Sequence, residues 1–138
     1  TVYLAVINSP EAWASGSQKF RQPWEWAIAA HRATGTDITN PRRFFTLMRE
    51  LAQPVWGPTS PAGYADTMES WAGPDALIRR VEAAQRLVAR NRIEEVLPLA
   101  QQLFGETLND DTATAIRRAE SADQGLALLL ASPEMMRR

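Results

Sequence analysis

Helix-start signals recur along this chain so closely that no helix can run far. Proline suits the first helical turn, where its missing N–H would have no intrahelical partner. Prolines or small polar caps of this kind stand at Ser9-Pro10, Pro23, Asn40-Pro41, Gly73-Pro74, Asn109 and Ser121. Between them, apolar residues repeat at helical spacing. Trp24, Ala27, Ile28 and His31 share one face after Pro23, with Gly35 placed as a left-handed C-terminal cap. Phe44, Phe45, Leu47, Met48 and Leu51 form the apolar side of the next helix, which Pro54 ends. The longest helix is expected from Pro74 to about Asn91, with Leu77, Val81, Ala84 and Val88 inward. Acid-before-base pairs Asp75–Arg79 and Glu82–Arg86 support it at i, i+4. Pro98 is expected to interrupt, leaving a short helix from Leu99 to Phe104 ended by Gly105. Asn109 caps a helix through Glu120, and Ser121 with Gln124 caps the last full one. Near the N-terminus, Thr1–Ile7 reads as the tail of a helix, and a turn follows at Pro10–Trp13, broken by Gly16 and Ser17.

No window alternates with a period of two, and 22 residues are alanine. The expected fold is therefore all-α, an irregular bundle of about six to seven short helices in one domain, 1–138. A chain of 138 residues buries about 68–70% of its unfolded surface, enough for a core without staples. The chain starts at Thr1 without methionine, so it reads as a processed chain or the C-terminal portion of a longer protein.

Composition removes several chemistries. There is no cysteine, which excludes disulfides, thiolate metal sites and thiol nucleophiles. The net charge is −1, so the global basic field of a nucleic-acid binder is missing. No apolar run is long enough to span a membrane. The basic residues are 14 arginines and Lys19. The pairs Arg42-Arg43 and Arg79-Arg80 have the fork that grips anions, but are more simply read as solvated helix positions. His31 is the single histidine; without a nucleophile or ligand cluster beside it, it reads as a hydrogen-bonded or interfacial residue. Among the three N-terminal tryptophans, Trp24 and Trp26 cannot share one helix face, so one of them is peripheral.

The segment QPVWGPTSPAGYADTMESWAG, residues 53–73, is expected to be a long ordered Pro/Gly/Trp loop. Loops of that length inside a compact domain are usually functional or disordered, and aromatics argue against disorder. Gln53, Trp56, Tyr64, Asp66 and Trp71 are the candidate binding residues. Trp56, Tyr64 and Trp71 either form a stacking surface for a sugar or a partner peptide, or tuck between helices to anchor the loop. Asp66, Glu69 and Asp75 are the local carboxylates, but loop spacing sets no separation suited to acid–base work. No residue is assigned as catalytic, and no metal or cofactor is called for. An internal echo, YLAVINSPEAW against LALLLASPEMM, shares a helix stopped before Ser-Pro-Glu.

The runs PWEWAIAAHRATGTD, LMRELAQPVWGPTSPAGYADTMESWAGPDALIRRVEAAQRL, LFGETL and LALLLASPEMMRR resemble the C-terminal part of a large bacterial family, domain of unknown function 1800. The matching pieces are Ala33 to Gly35, Ala52 to Pro54, Pro61 to Tyr64, Trp71 to Pro74 and Ser132 to Arg137. Tyr64 stands where that family commonly has tryptophan, and His31 where it has an apolar residue. The resemblance implies the helical end of a larger, envelope-associated protein with no assigned activity. It also implies two partners: the upstream part of the same protein, and a sulfatase-like protein encoded beside it. The leading expectation is a non-catalytic helical interaction module. The alternative is part of an enzyme or glycan-binding protein whose site is shared with an upstream region.

Overall fold

The expected caps at Asn40, Asn109, Ser121 and Gly35 close backbone groups at their helix ends in a computed structural model that describes residues 1–13 and 19–138, although the Gln124 side chain accepts Glu120 N–H and not the Ser121 N–H of a full capping box. The expected break at Gly16 and Ser17 lies outside the described residues. Among the described residues the chain forms nine α-helices, two short 3-10 turns and no strand. They are α1 Val2–Ile7, α2 Pro23–Ala33, α3 Pro41–Glu50, α4 Met68–Trp71, α5 Pro74–Val88, α6 Val96–Phe104, α7 Asp110–Arg117, α8 Ala122–Leu130 and α9 Pro133–Met136. The all-α expectation holds. The count exceeds the expected six to seven because single-turn helices such as α4 and α9 carry too few residues to show a period. None of these helices is long and apolar enough to cross a membrane.

Asn40 accepts the N–H groups of Arg42 and Arg43 at the start of α3. Asn109, Ser121 and Ser132 do the same for α7, α8 and α9. At the other ends, α2 and α3 close with the same paired hydrogen bonds. Thr36 N–H reaches His31 O at 2.9 Å and Gly35 N–H reaches Arg32 O at 3.2 Å. In α3 the equivalents are Gln53 N–H to Met48 O at 2.9 Å and Ala52 N–H to Arg49 O at 3.1 Å. This closure needs a left-handed residue. Gly35 supplies it at φ +63° as expected, whereas α3 uses Ala52 at φ +62°, which a search for glycine misses.

The core centres on α8, which packs against α5, α6 and α7, while α2 packs against α9 and α3. Trp26, Met48, Leu126, Leu129 and Leu130 are fully buried, each apolar side chain contributing roughly 1.5–3 kcal/mol. Trp26 donates its indole N–H to Leu130 O at 3.0 Å, joining α2 to the end of α8. Trp24 is the peripheral one of the pair, half-exposed and edge-on to Phe44 with ring centroids 5.2 Å apart. The buried face of α2 is thus Pro23, Trp26, Ala27, Ala30 and Ala33, not the Trp24–His31 face.

Three further expectations are corrected. The buried face of α5 is Arg80, Ala83, Ala84, Leu87 and Val88, with Leu77 and Val81 partly in solvent. Arg86 pairs with Glu50 of α3 at 2.8 Å, and neither Asp75–Arg79 nor Glu82–Arg86 forms an ion pair among the described residues. Pro98 lies inside the first turn of α6, where its missing N–H has no intrahelical partner to lose.

Arg80 is not a solvated position. Its side chain is 1% exposed. One guanidinium nitrogen donates to Arg21 O at 2.7 Å, another approaches Met136 Sδ at 3.3 Å, and the group lies 4.7 Å over the Phe20 ring. Burial lowers its pKa to about 10, so it remains a cation at neutral pH. Because the folded pKa lies below the unfolded one, the cost of burying this charge is fully present at pH 7 and falls only as pH rises through about 10. Above it, segment 19–21 pairs with the C-terminus: Lys19 and Arg138 exchange backbone hydrogen bonds at 3.1 and 2.9 Å, and Arg21 N–H reaches Met136 O at 2.7 Å.

The internal echo is conformational, since α1 is followed by a turn at Pro10–Trp13 as α8 is followed by α9. Burial differs sharply. The apolar side chains of α1, Val2, Tyr3, Leu4, Val6 and Ile7, are 54–83% exposed, while α8 is core.

Replacing Ala52 with glycine relieves the left-handed strain. Urea unfolding is expected to show Ala52→Gly more stable by about 0.5–1 kcal/mol, the steric relief exceeding the added unfolded-state entropy. A less stable variant would contradict the assigned closure.

Candidate functional site

The loop after α3 is built by its own polar side chains. Gln53 is buried, with its carbonyl oxygen accepting Trp24 N–H at 2.7 Å and its amide donating to the Gln22 side chain at 3.0 Å. It therefore satisfies one of the orphan donors at the start of α2 from across the fold. Gln22 in turn donates to Asp66 at 2.9 Å and has its own N–H held by Glu25 at 3.0 Å. Asp66 also sits 3.8 Å from Lys19. Two of the candidate residues, Gln53 and Asp66, are thus brought together through Gln22.

Tyr64 and Trp71 pin the far side. The Tyr64 hydroxyl donates to Pro54 O, and Trp71 donates to Ala65 O at 2.7 Å. Their rings are 6.2 Å apart and tilted, and Trp71 is buried. The loop is also shorter than 53–73, because α4 occupies Met68–Trp71. Its helical run is only four residues, below what periodicity detects.

Trp56 differs from the other four. It is 96% exposed, at φ +60°, in a turn where Gly57 N–H returns to Pro54 O at 3.3 Å. Its indole projects from a braced backbone.

The structure also holds a concavity that none of the five candidate loop residues lines. A cavity of about 370 Å³ lies between the 34–40 connection, α3 and α5. Phe44, Leu47, Ala83 and Leu87 supply apolar lining, and Arg42, Arg43, Arg86 and Arg90 supply cations. The α2 closure aims the chain into it. Thr36 donates to Asn91 at 2.5 Å, and Asn91 donates to Leu87 O at 2.8 Å. His31 lies on the same lining, its Nδ1 3.3 Å from Thr36 O. A carbonyl can only accept, so Nδ1 carries the proton in that contact. This is the hydrogen-bonded histidine expected. The one sequence signal for the cavity was Arg42-Arg43, since Arg90 and the 36–40 residues come to it only through the fold. Arg79 and Arg80 do not act as a pair, one being exposed and the other buried. Among the described residues no three His, Asp or Glu side chains gather in a metal-binding group.

These features define an all-α chain with a braced aromatic loop and an arginine-rimmed groove. The chain belongs to the family described as Protein of unknown function (DUF1800), whose model matches residues 1–137. No curated protein and no solved structure matches it.

Truncating the buried amide should separate bracing from display. Gln53→Ala is expected to cost about 1–3 kcal/mol, because it strands the Trp24 N–H and the Gln22 carbonyl. Trp56→Ala should leave stability within about 0.5 kcal/mol, as for other exposed positions. Equal losses in thermal or urea unfolding would refute this division.

Proposed function

We propose that this chain is a non-catalytic helical interaction module that presents Trp56 to a partner protein. The carrying observation is the contrast within the loop: four candidate residues are engaged in holding it, and one large aromatic is held out of it. Exposed tryptophan on a rigid turn loses little entropy on docking, and tryptophan is among the residues that dominate protein interfaces. The exposed apolar side of α1, together with exposed Trp13, supports a second contact, with the upstream part of the same protein.

The partner inferred from the family resemblance is the sulfatase-like protein, in a larger envelope-associated assembly. Co-purification of that protein with the wild-type chain and with Trp56→Ala tests the reading. A loss of roughly tenfold or more in affinity is expected, consistent with a buried aromatic anchor. Equal recovery by a folded Trp56→Ala would reject it. Glycan binding that is lost in the same variant, without partner recovery, would replace it with the shared glycan-binding site.

A further inference from the structure

We propose that the groove between α3 and α5 is a binding site for a small organic anion, an apolar body carrying one carboxylate or phosphate group. The volume of about 370 Å³ falls at the small end of ligand cavities, which run roughly 300–1,000 Å³. Its apolar lining comes from Phe44, Leu47, Ala83 and Leu87, with Phe44 and Leu87 themselves buried in the core. An apolar ligand body placed there leaves water for a wall that does not have to be created.

The charge around it is selective. Arg86 is neutralised by Glu50. Arg42, Arg43 and Arg90 form no ion pair among the described residues, and Asp37 is the only acid besides Glu50 among the described lining residues. Of the polar groups at the 34–40 connection, Asn40 caps α3, and the Thr36 hydroxyl is engaged with Asn91. The cations left to meet a ligand are the guanidinium groups of Arg42, Arg43 and Arg90. Arginine presents paired N–H groups that match the oxygens of a carboxylate or phosphate. A polyanion such as nucleic acid would need a basic surface extending beyond one groove, and the chain as a whole carries −1.

The test is a titration of the whole ¹⁵N-labelled chain, followed by amide shifts, with phenyl phosphate, benzoate, inorganic phosphate and phenol. Saturable shifts at Thr36, Asp37, Leu87 and Asn91 with phenyl phosphate or benzoate are expected, and which of the two binds tighter distinguishes phosphate from carboxylate. Inorganic phosphate and phenol, each carrying one half of the chemistry, should bind at least roughly fivefold more weakly. The double variant Arg43→Gln/Arg90→Gln alters exposed side chains only, and should weaken phenyl phosphate roughly tenfold while the remaining spectrum is unchanged. Absence of saturable shifts with both organic anions would overturn the proposal. So would equal binding of inorganic phosphate, or undiminished binding by the double variant.

Discussion

A buried cation with no acid partner among the described residues is the constraint on which this arrangement turns. Removing a guanidinium from water is costly unless its donors are satisfied. Arg80 meets that demand with a backbone carbonyl at Arg21, a thioether at Met136 and the face of Phe20. Those three partners belong to two segments more than a hundred residues apart in sequence, and neither can leave without exposing or stranding the charge. The interaction therefore draws the chain before α2 and the chain after α9 onto the same side of α5.

That junction sets the geometry of the loop. Segment 19–21 is paired with the C-terminus, and the next residue, Gln22, sits at the start of α2. From there Gln22 contacts both Gln53 and Asp66, the near and far arms of the loop. Trp56 is consequently displayed from a turn whose two ends are referenced to one helix start. The arginine-rimmed groove, between the 34–40 connection, α3 and α5, is organised by a different device, the left-handed closure at Gly35 that turns Thr36 toward Asn91.

Local signals were readable where one residue type does one backbone job. Pro23, Asn40-Pro41, Pro74, Asn109 and Ser121 marked helix starts because capping is a near-neighbour effect. Gly35 marked an end for the same reason. Ala52 did not, because a left-handed alanine is tolerated only when tertiary packing holds it. The burial of Arg80 was equally invisible: an arginine on a helix is usually solvated, and its partners at Arg21 and Met136 are distant in sequence. The candidate residues of the loop were found by composition, but their division into four braces and one displayed indole depends on hydrogen bonds to Gln22, Trp24, Pro54 and Ala65. The groove shows the same limit, with Arg42-Arg43 visible as a pair and Arg90 delivered by α5.

Native-state hydrogen exchange on Arg80→Met tests this ordering most directly. Methionine keeps an apolar stem of similar length and removes the donors. If Arg80 holds the two segments together, the amides of Lys19, Arg21 and Arg138, each hydrogen-bonded across the junction, lose protection well before those of α7. Loss of protection spread evenly over all helices, or unchanged protection at these three amides, would contradict the account.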